Sequence, residues 1–256
     1  MNRRALAAGL LLAAAAVGAA AQVDARRSGF EFMGPATQAL QRDDTQNPAM
    51  LAVRDGEAAW SRADGEARRA CADCHGDAAT SMRGVAPRYP AFDAALGEPV
   101  TLGQRIEQCR VSQQRAAPRS TEAAPALALE AWVALASRGL PIAPDDDPRL
   151  APFRDRGRRL FEQRLGQLDL SCAMCHERHA GGRLGGSPIP QAHPTGYPLY
   201  RLEWQALGSL QRRLRGCLAG VRAEPFGFGS RELVDLELHL MERARGLPLE
   251  TPAVRP

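Results

Sequence analysis

Two copies of one short motif limit this chain more than any other feature in it. Cys71-Ala-Asp-Cys74-His75 recurs as Cys172-Ala-Met-Cys175-His176, 101 residues further on. The CxxCH spacing is the attachment signal for a c-type haem. The two thiols add across the haem vinyl groups, and the adjoining histidine reaches the iron. A redox CxxC needs no trailing histidine, and a zinc site would need further Cys or His at finger-like spacing. The chain is therefore expected to fold around two covalently bound haem c groups, held by Cys71, Cys74, Cys172 and Cys175 with His75 and His176 on the irons. Aromatic residues make up only 5% of the sequence, so large side chains for two cores are scarce. Two macrocycles would fill that space.

The motifs are part of a longer repeat. The 101-residue offset also aligns Gly56 with Gly157, Trp60 with Phe161 and Gly65 with Gly166. Self-similarity at a fixed spacing marks a duplicated unit. Leu102-Gly-Gln-Arg105-Ile-Glu-Gln-Cys109 then matches Leu210-Gln-Arg-Arg213-Leu-Arg-Gly-Cys217 at an offset of 108. Leu129-Glu130 and Arg138-Gly139-Leu140-Pro141 match Leu236-Glu237 and Arg245-Gly246-Leu247-Pro248. The second copy owes its extra length to a Gly- and Pro-rich loop over residues 180–200. Helices are predicted around 50–70 and 150–170, over 102–113 and 208–221, and over 123–138 and 230–245. Each closing helix stops at Gly-Leu-Pro. No stretch asks for a sheet. The fold class is mainly α: two tandem cytochrome c-like haem domains related by internal duplication. They span 51–143 and 149–256, joined by a stiff charged linker at 144–148 and preceded by an extended arm at 22–50.

Each haem iron would keep a distal position, which small electron-transfer cytochromes fill with methionine or a second histidine. Met82 lies seven residues after His75, within reach of an extended chain of roughly 23 Å, but its counterpart in the second copy is Arg183. Cys109 and Cys217 do correspond, one per motif, as distal thiolate ligands would. A Cys109–Cys217 disulfide is the competing account, and His193 in the long loop is a rival ligand for the second haem. His179 and His239 are expected to be exposed. Arg213 sits one turn before Cys217 and on the same helical face, placed to bind an anion through paired hydrogen bonds. Arg212 and Arg215 are expected to be solvated, with Arg201 and Arg222 near the site by charge alone. A thiol beside arginines is more acidic and more nucleophilic, so an iron-bound cysteine facing an anion suggests sulfur chemistry coupled to electron removal. A dihaem electron carrier without catalysis would need neither the cysteine pair nor the arginines. A dihaem peroxidase would need a distal site open to peroxide, which nothing marks.

The ends and the charge set the surroundings. Asn2-Arg3-Arg4, an apolar run over residues 5–17 and Ala19-Ala20-Ala21 before Gln22 have the form of an export signal over residues 1–21. A periplasmic location follows, and no later segment is long and apolar enough to span a membrane. All 33 basic residues are arginine. Residues 22–148 carry 14 Arg against 18 acidic residues, and residues 149–256 carry 17 against 11. The near-zero balance of residues 22–256, 31 Arg against 29 acidic residues, argues against nucleic acid as a partner, whereas the basic second half would draw in anions.

Taken together, these residues resemble the SoxA family, the catalytic subunits of thiosulfate-oxidising SoxAX cytochrome complexes. The likeness rests on the paired CxxCH motifs, the cysteine after each, and Arg213-Leu-Arg-Gly-Cys217 followed by Val221-Arg-Ala-Glu-Pro225. Gly229-Ser-Arg-Glu232 and the tail from Gly246-Leu-Pro248 to Pro256 are similar too. The resemblance implies an enzyme that joins thiosulfate oxidatively to a cysteine thiol of a SoxYZ-type carrier protein, with two electrons going to cytochrome c. It implies ligand pairs His75 with Cys109 and His176 with Cys217. It further implies Cys217 as a cysteine persulfide at the active site, Arg213 on the substrate anion, and a SoxX-type monohaem cytochrome c as heterodimer partner.

Overall fold

In the computed structural model residues 25–256 are described; the expected export segment, residues 1–21, lies outside them. The arm is not extended throughout. Ser28 and Glu31 close a capping box on a short turn at Gly29–Phe32, and helix α1 runs over Pro35–Arg42 with proline in its first turn. The chain then builds α2 (Ala49–Ser61), α3 (Ala72–His75), α4 (Ala78–Ser81), and strands β1 (Ala91–Asp93) and β2 (Glu98–Val100). Helices α5 (Leu102–Cys109) and α6 (Ala124–Leu135) complete the first half.

The second half repeats that order. It comprises α7 (Ala151–Glu162), a wide helical turn over Met174–Arg178, a hairpin β3 (Arg183–Leu184) with β4 (Ser187–Pro188), and a hairpin β5 (Leu199–Arg201) with β6 (Ala206–Gly208). Then come α8 (Leu210–Gly220), α9 (Arg231–Arg243) and β7 (Val254–Arg255).

The short strands correct the expectation of no sheet. β1 pairs antiparallel with β2, Ala91 opposite Val100. β5 pairs antiparallel with β6, Leu199 opposite Gly208, and β7 joins β5 in parallel with Val254 opposite Tyr200. Strands of two or three residues are too short to show an alternating pattern, and they pair through the turn between them or across the whole half.

Two close helix pairs carry the halves, α2 against α6 and α7 against α9. Glycine makes each approach possible. A Cβ on Gly56 would lie 2.1 Å from the Ala128 carbonyl oxygen, and one on Gly157 would lie 2.0 Å from that of Asp235. The first side-chain atoms met are the Trp132 Cβ and the His239 Cβ, both at 2.9 Å. His239 is therefore half-buried between α7 and α9, its ring 5.4 Å from Phe161, rather than exposed. Burial first, then the Arg243 charge, pulls it down to about 4, so the imidazole is neutral.

The cores cross the midpoint of the chain. Trp60, Leu129 and Val133 share a cluster with Met241, Ala244 and Leu247, while Ala49, Val53 and Leu127 pack with Leu207 from the second hairpin. Helix α6 is apolar nearly all round because it serves both clusters. Phe161, Leu214, Leu218, Leu233, Leu236 and Leu240 form the second half's own cluster. Each fully buried side chain of this kind contributes about 1.5–3 kcal/mol. No helix among the described residues is long and apolar enough to cross a membrane.

Candidate active site

Helix α8 starts where the Ser209 side chain accepts a hydrogen bond from the Arg212 N–H, a normal N-cap. Leu210, Leu214 and Leu218, four residues apart, face the core against α9. Arg213 and Cys217 share the adjoining face and line the same two cavities. One cavity, of about 340 Å³, also takes Cys172, Cys175 and His176, with walls that include Leu160, Leu165, Leu218 and Phe226. The other, of about 150 Å³, adds Tyr197, Arg201, Arg255 and His193 to His176, Arg213 and Cys217.

His176 lies 2.7 Å through Nδ1 from the Pro190 carbonyl oxygen. A carbonyl only accepts, so Nδ1 carries the proton and Nε2 is left as a lone-pair donor for a metal. Burial pushes the Cys217 thiol up, but the His176 hydrogen bond and the Arg213, His176 and Arg201 charges bring it below its ordinary value. Cys172 is pushed up to about 11 by burial and then by Cys217. Two thiols, a histidine nitrogen and a facing thiol around a leucine-lined cavity fit a covalently attached haem.

The first half is more open. Trp60 donates from Nε1 to the Gly76 carbonyl at 3.0 Å, and its ring lies 5.7 Å from that of His75. Burial and then the Cys109 charge raise Cys71, while the Gln114 amide lies 3.7 Å from the Cys71 sulfur. Cys74, His75 and Cys109 are exposed. Each lone cysteine thus lies near the first thiol of its own motif, and all six cysteines are free, so Cys109 and Cys217 are not disulfide-bonded. Met82 is half-buried against the Trp60 cluster.

Several arginines stand elsewhere than expected. Arg212 stacks on Trp204 at 4.2 Å. Arg215 lies over Phe228 at 4.5 Å and donates to the Phe226 carbonyl. Neither is simply solvated. Arg222 is exposed and lines neither cavity, which removes it from the site, whereas Arg201 lines the smaller cavity. His193 lines that cavity too, its Nδ1 2.8 Å from the Arg27 carbonyl oxygen. Exposed His179 is as expected. Tyr197 and Arg255 had no place in the sequence reading; the signal for Tyr197 was its counterpart Tyr89, also followed by proline and a hairpin.

A family model for the SoxA/TsdA cytochrome c domain matches residues 55–142. The L-cysteine S-thiosulfotransferase subunit SoxA of Rhodovulum sulfidophilum is 38% identical over 91% of this chain and 81% of its own length. The chain belongs to the SoxA family. The SoxA subunit of Pseudaminobacter salicylatoxidans is likewise 38% identical, over 89% of this chain and 80% of that protein. The crystal structure of SoxXA from P. pantotrophus superposes with a TM-score of 0.87 at 32% identity, covering 90% of this chain and 87% of that one. As a SoxA-family chain with a cytochrome c domain it has the cytochrome c-like SoxA fold and binds haem c covalently.

Proposed function

We propose that this chain is the subunit that oxidatively joins thiosulfate to a cysteine thiol of a SoxYZ-type carrier protein, the activity named for its SoxA relatives. The balance is fixed by the chemistry: a thiol and thiosulfate give a thiol-bound S–S–sulfonate group, one proton and two electrons. One observation supports this reading above the others, a half-buried thiol in the same cavity as a guanidinium and a CxxCH histidine. Bound haem c supplies one-electron acceptance, and the electrons pass to a SoxX-type monohaem cytochrome c and on to cytochrome c. The protein's own residues do the rest. Arg213 holds the anion and offsets its charge. Cys217, carrying one extra sulfur as a persulfide, is the nucleophile that holds the outer sulfur of thiosulfate until the carrier's thiolate attacks that sulfur and takes it away.

The finer assignments belong to the same proposal. Two tandem haem domains, 51–143 and 149–256 about the linker 144–148, carry two haem c groups on Cys71, Cys74, Cys172 and Cys175. His75 with Cys109, and His176 with Cys217, are the iron ligands. The matching elements of the two halves, their glycine-mediated helix pairs and the free state of all six cysteines support this. Residues 1–21 direct export to the periplasm.

Mass spectrometry of the intact protein and its peptides tests the assignment: two covalent haems and one additional sulfur on Cys217 are expected. Electron paramagnetic resonance of the oxidised protein should give thiolate-type low-spin iron. Methionine-type iron at both haems, or an unmodified Cys217, removes the ligand and persulfide assignments.

A further inference from the structure

The repeat gives Arg213 an internal control. Arg105 holds the matching position on α5, and its guanidinium lies 3.0 Å from the Asp93 carboxylate at the end of β1. At the matching end of β5 stands Arg201. A guanidinium thus replaces the carboxylate, and two arginines within electrostatic reach of each other line the cavity that holds Cys217. Arg201 is only 17% exposed; it keeps Glu203 at 2.7 Å on its solvent side. Its Nε is buried and has no hydrogen-bond partner. Burial and then the Arg213 charge make Arg201 easier to deprotonate than an ordinary arginine. Cys217, Arg201 and Tyr197 all lie within electrostatic reach of Arg213, and no carboxylate among the described residues pairs with it.

Tyr197, just before β5, lines the same cavity, and its hydroxyl makes no hydrogen bond to the described residues. Burial, offset by Arg213 and Arg255 and raised by Cys217, pushes it up to about 12. The phenol therefore stays protonated and can donate. Arg255 is already neutralised by Glu250 at 3.2 Å and is not counted here.

We propose that Arg201 and Tyr197 are positioning residues that complete an oxoanion cradle with Arg213, holding the sulfonate end of thiosulfate so that its outer sulfur faces Cys217. The inference rests on Cys217 being the sulfur-carrying residue. Arg213, which has no carboxylate partner, and the unpartnered Nε of Arg201, whose Nη2 is held by Glu203, offer guanidinium donors to an anion. A neutral hydroxyl adds a further donor for a group with three oxygens. A cavity of about 150 Å³ is ample for a five-atom anion, since one liquid water takes about 30 Å³. The cradle reads the oxygens, so an anion such as hydrosulfide gains nothing from it.

The test uses the haem-loaded complex of this chain with its cytochrome partner. Equilibrium dialysis with radiolabelled thiosulfate, without carrier protein, reads binding, and steady-state turnover with carrier reads KM and kcat apart. R201Q should weaken binding and raise KM by about tenfold to a hundredfold, and Y197F by about tenfold, the range for hydrogen bonds to a charged group. Haem content and spectrum should not change. R201K should recover part of the loss, which a merely structural arginine would not do. R201D rebuilds the first half's Asp93–Arg105 pair, so it should fold normally and lose binding beyond a hundredfold. A variant that binds thiosulfate like the parent removes that residue from the cradle, and both doing so overturns it. Turnover that survives C217A instead overturns the assignment of Cys217 beneath it, so the two failures read differently.

Discussion

The two halves use the same hairpin and capped helix to present a cysteine, yet they surround it with opposite chemistry. Around α5 the charges cancel one another. Arg105 pairs with Asp93, and buried Arg110 bonds both Glu107 and Asp64 at 2.7 Å. Glu107 also takes Arg119 at 2.7 Å. In the second half Arg105 is kept as Arg213 but its surroundings are changed: Asp93 becomes Arg201, Glu107 becomes Arg215, Arg110 becomes Leu218 and Asp64 becomes Leu165. Leu165 and Leu218 now line the cavity with Cys217. An ionic network that satisfies itself has been exchanged for an apolar wall, an Arg213 without a carboxylate partner and an Arg201 whose Nε is unpartnered. A self-satisfied network stiffens a fold; an unsatisfied one attracts a ligand. On the function proposed above, the same scaffold carries a structural or relaying site in one half and a chemical one in the other.

The sharpest way to break this contrast is to remove each cysteine in turn. C217A should cut thiosulfate turnover by about 10⁴-fold or more, the scale for loss of a nucleophile. C109A should cost about tenfold, provided the second haem stays loaded. Steady-state reduction of cytochrome c by the complex measures both, and equal losses would end the division of roles. Next in size are the matched arginines. R213A should lower kcat/KM by about 10²-fold. R105A, whose pair with Asp93 is partly exposed, should leave turnover intact and cost about 0.5 kcal/mol in denaturant unfolding.

The part of this contrast carried by helices was legible in the sequence. Cys109 and Cys217 could be paired because helical spacing keeps Arg and Cys one turn apart in both copies, and the CxxCH motifs fix the register. The strand-borne part was not. Arg201 and Tyr197 belong to a hairpin whose strands have three residues, and they reach the site only because α8 folds back beside it. Arg212 and Arg215 were misread as solvated because Trp204 and Phe228, which they stack on, meet them only through loops. His239 was misplaced for a related reason: the glycine that draws α9 onto it, Gly157, lies in a different helix. Helix α1 escaped notice because a short amphipathic helix offers few apolar positions to count.

The glycines give a test of whether the two helix pairs are built alike. G56A and G157A each force a methyl group to within about 2 Å of a carbonyl oxygen, so a helix must shift. Each should lose about 1–3 kcal/mol or more, the usual cost of overpacking, read as a fall in Tm. Similar losses would mean that both pairs serve the fold equally and that the halves differ only around the cysteine helix. A much larger loss for G56A would show that α6, packed between two clusters, has less room to move than α9.

The smallest effect probes the place where the halves meet. Glu130 on α6 and Glu237 on α9 are equivalent residues, and both line one cavity of about 60 Å³ between the halves. Burial, then the charges of Glu237 and Glu122, pushes Glu130 up to about 8. Burial, opposed by a hydrogen bond from Gln211 and reinforced by Glu122, pushes Glu237 up to about 7. Below about pH 4.5 both carboxyls are protonated whether the chain is folded or not, so neither costs stability. As the pH rises from there to about 8, the unfolded chain gives up these protons while the folded chain keeps them, and stability falls. E130Q removes one such titration and should flatten the decline in Tm between pH 5 and pH 8, by about 1–2 kcal/mol in stability. E237Q should do the same for its own carboxyl and also draw Glu130 down by deleting its charge. Thermal melts of the three chains at both pH values decide it: an unaltered pH slope in both variants would mean that the halves do not meet through protonated carboxyls.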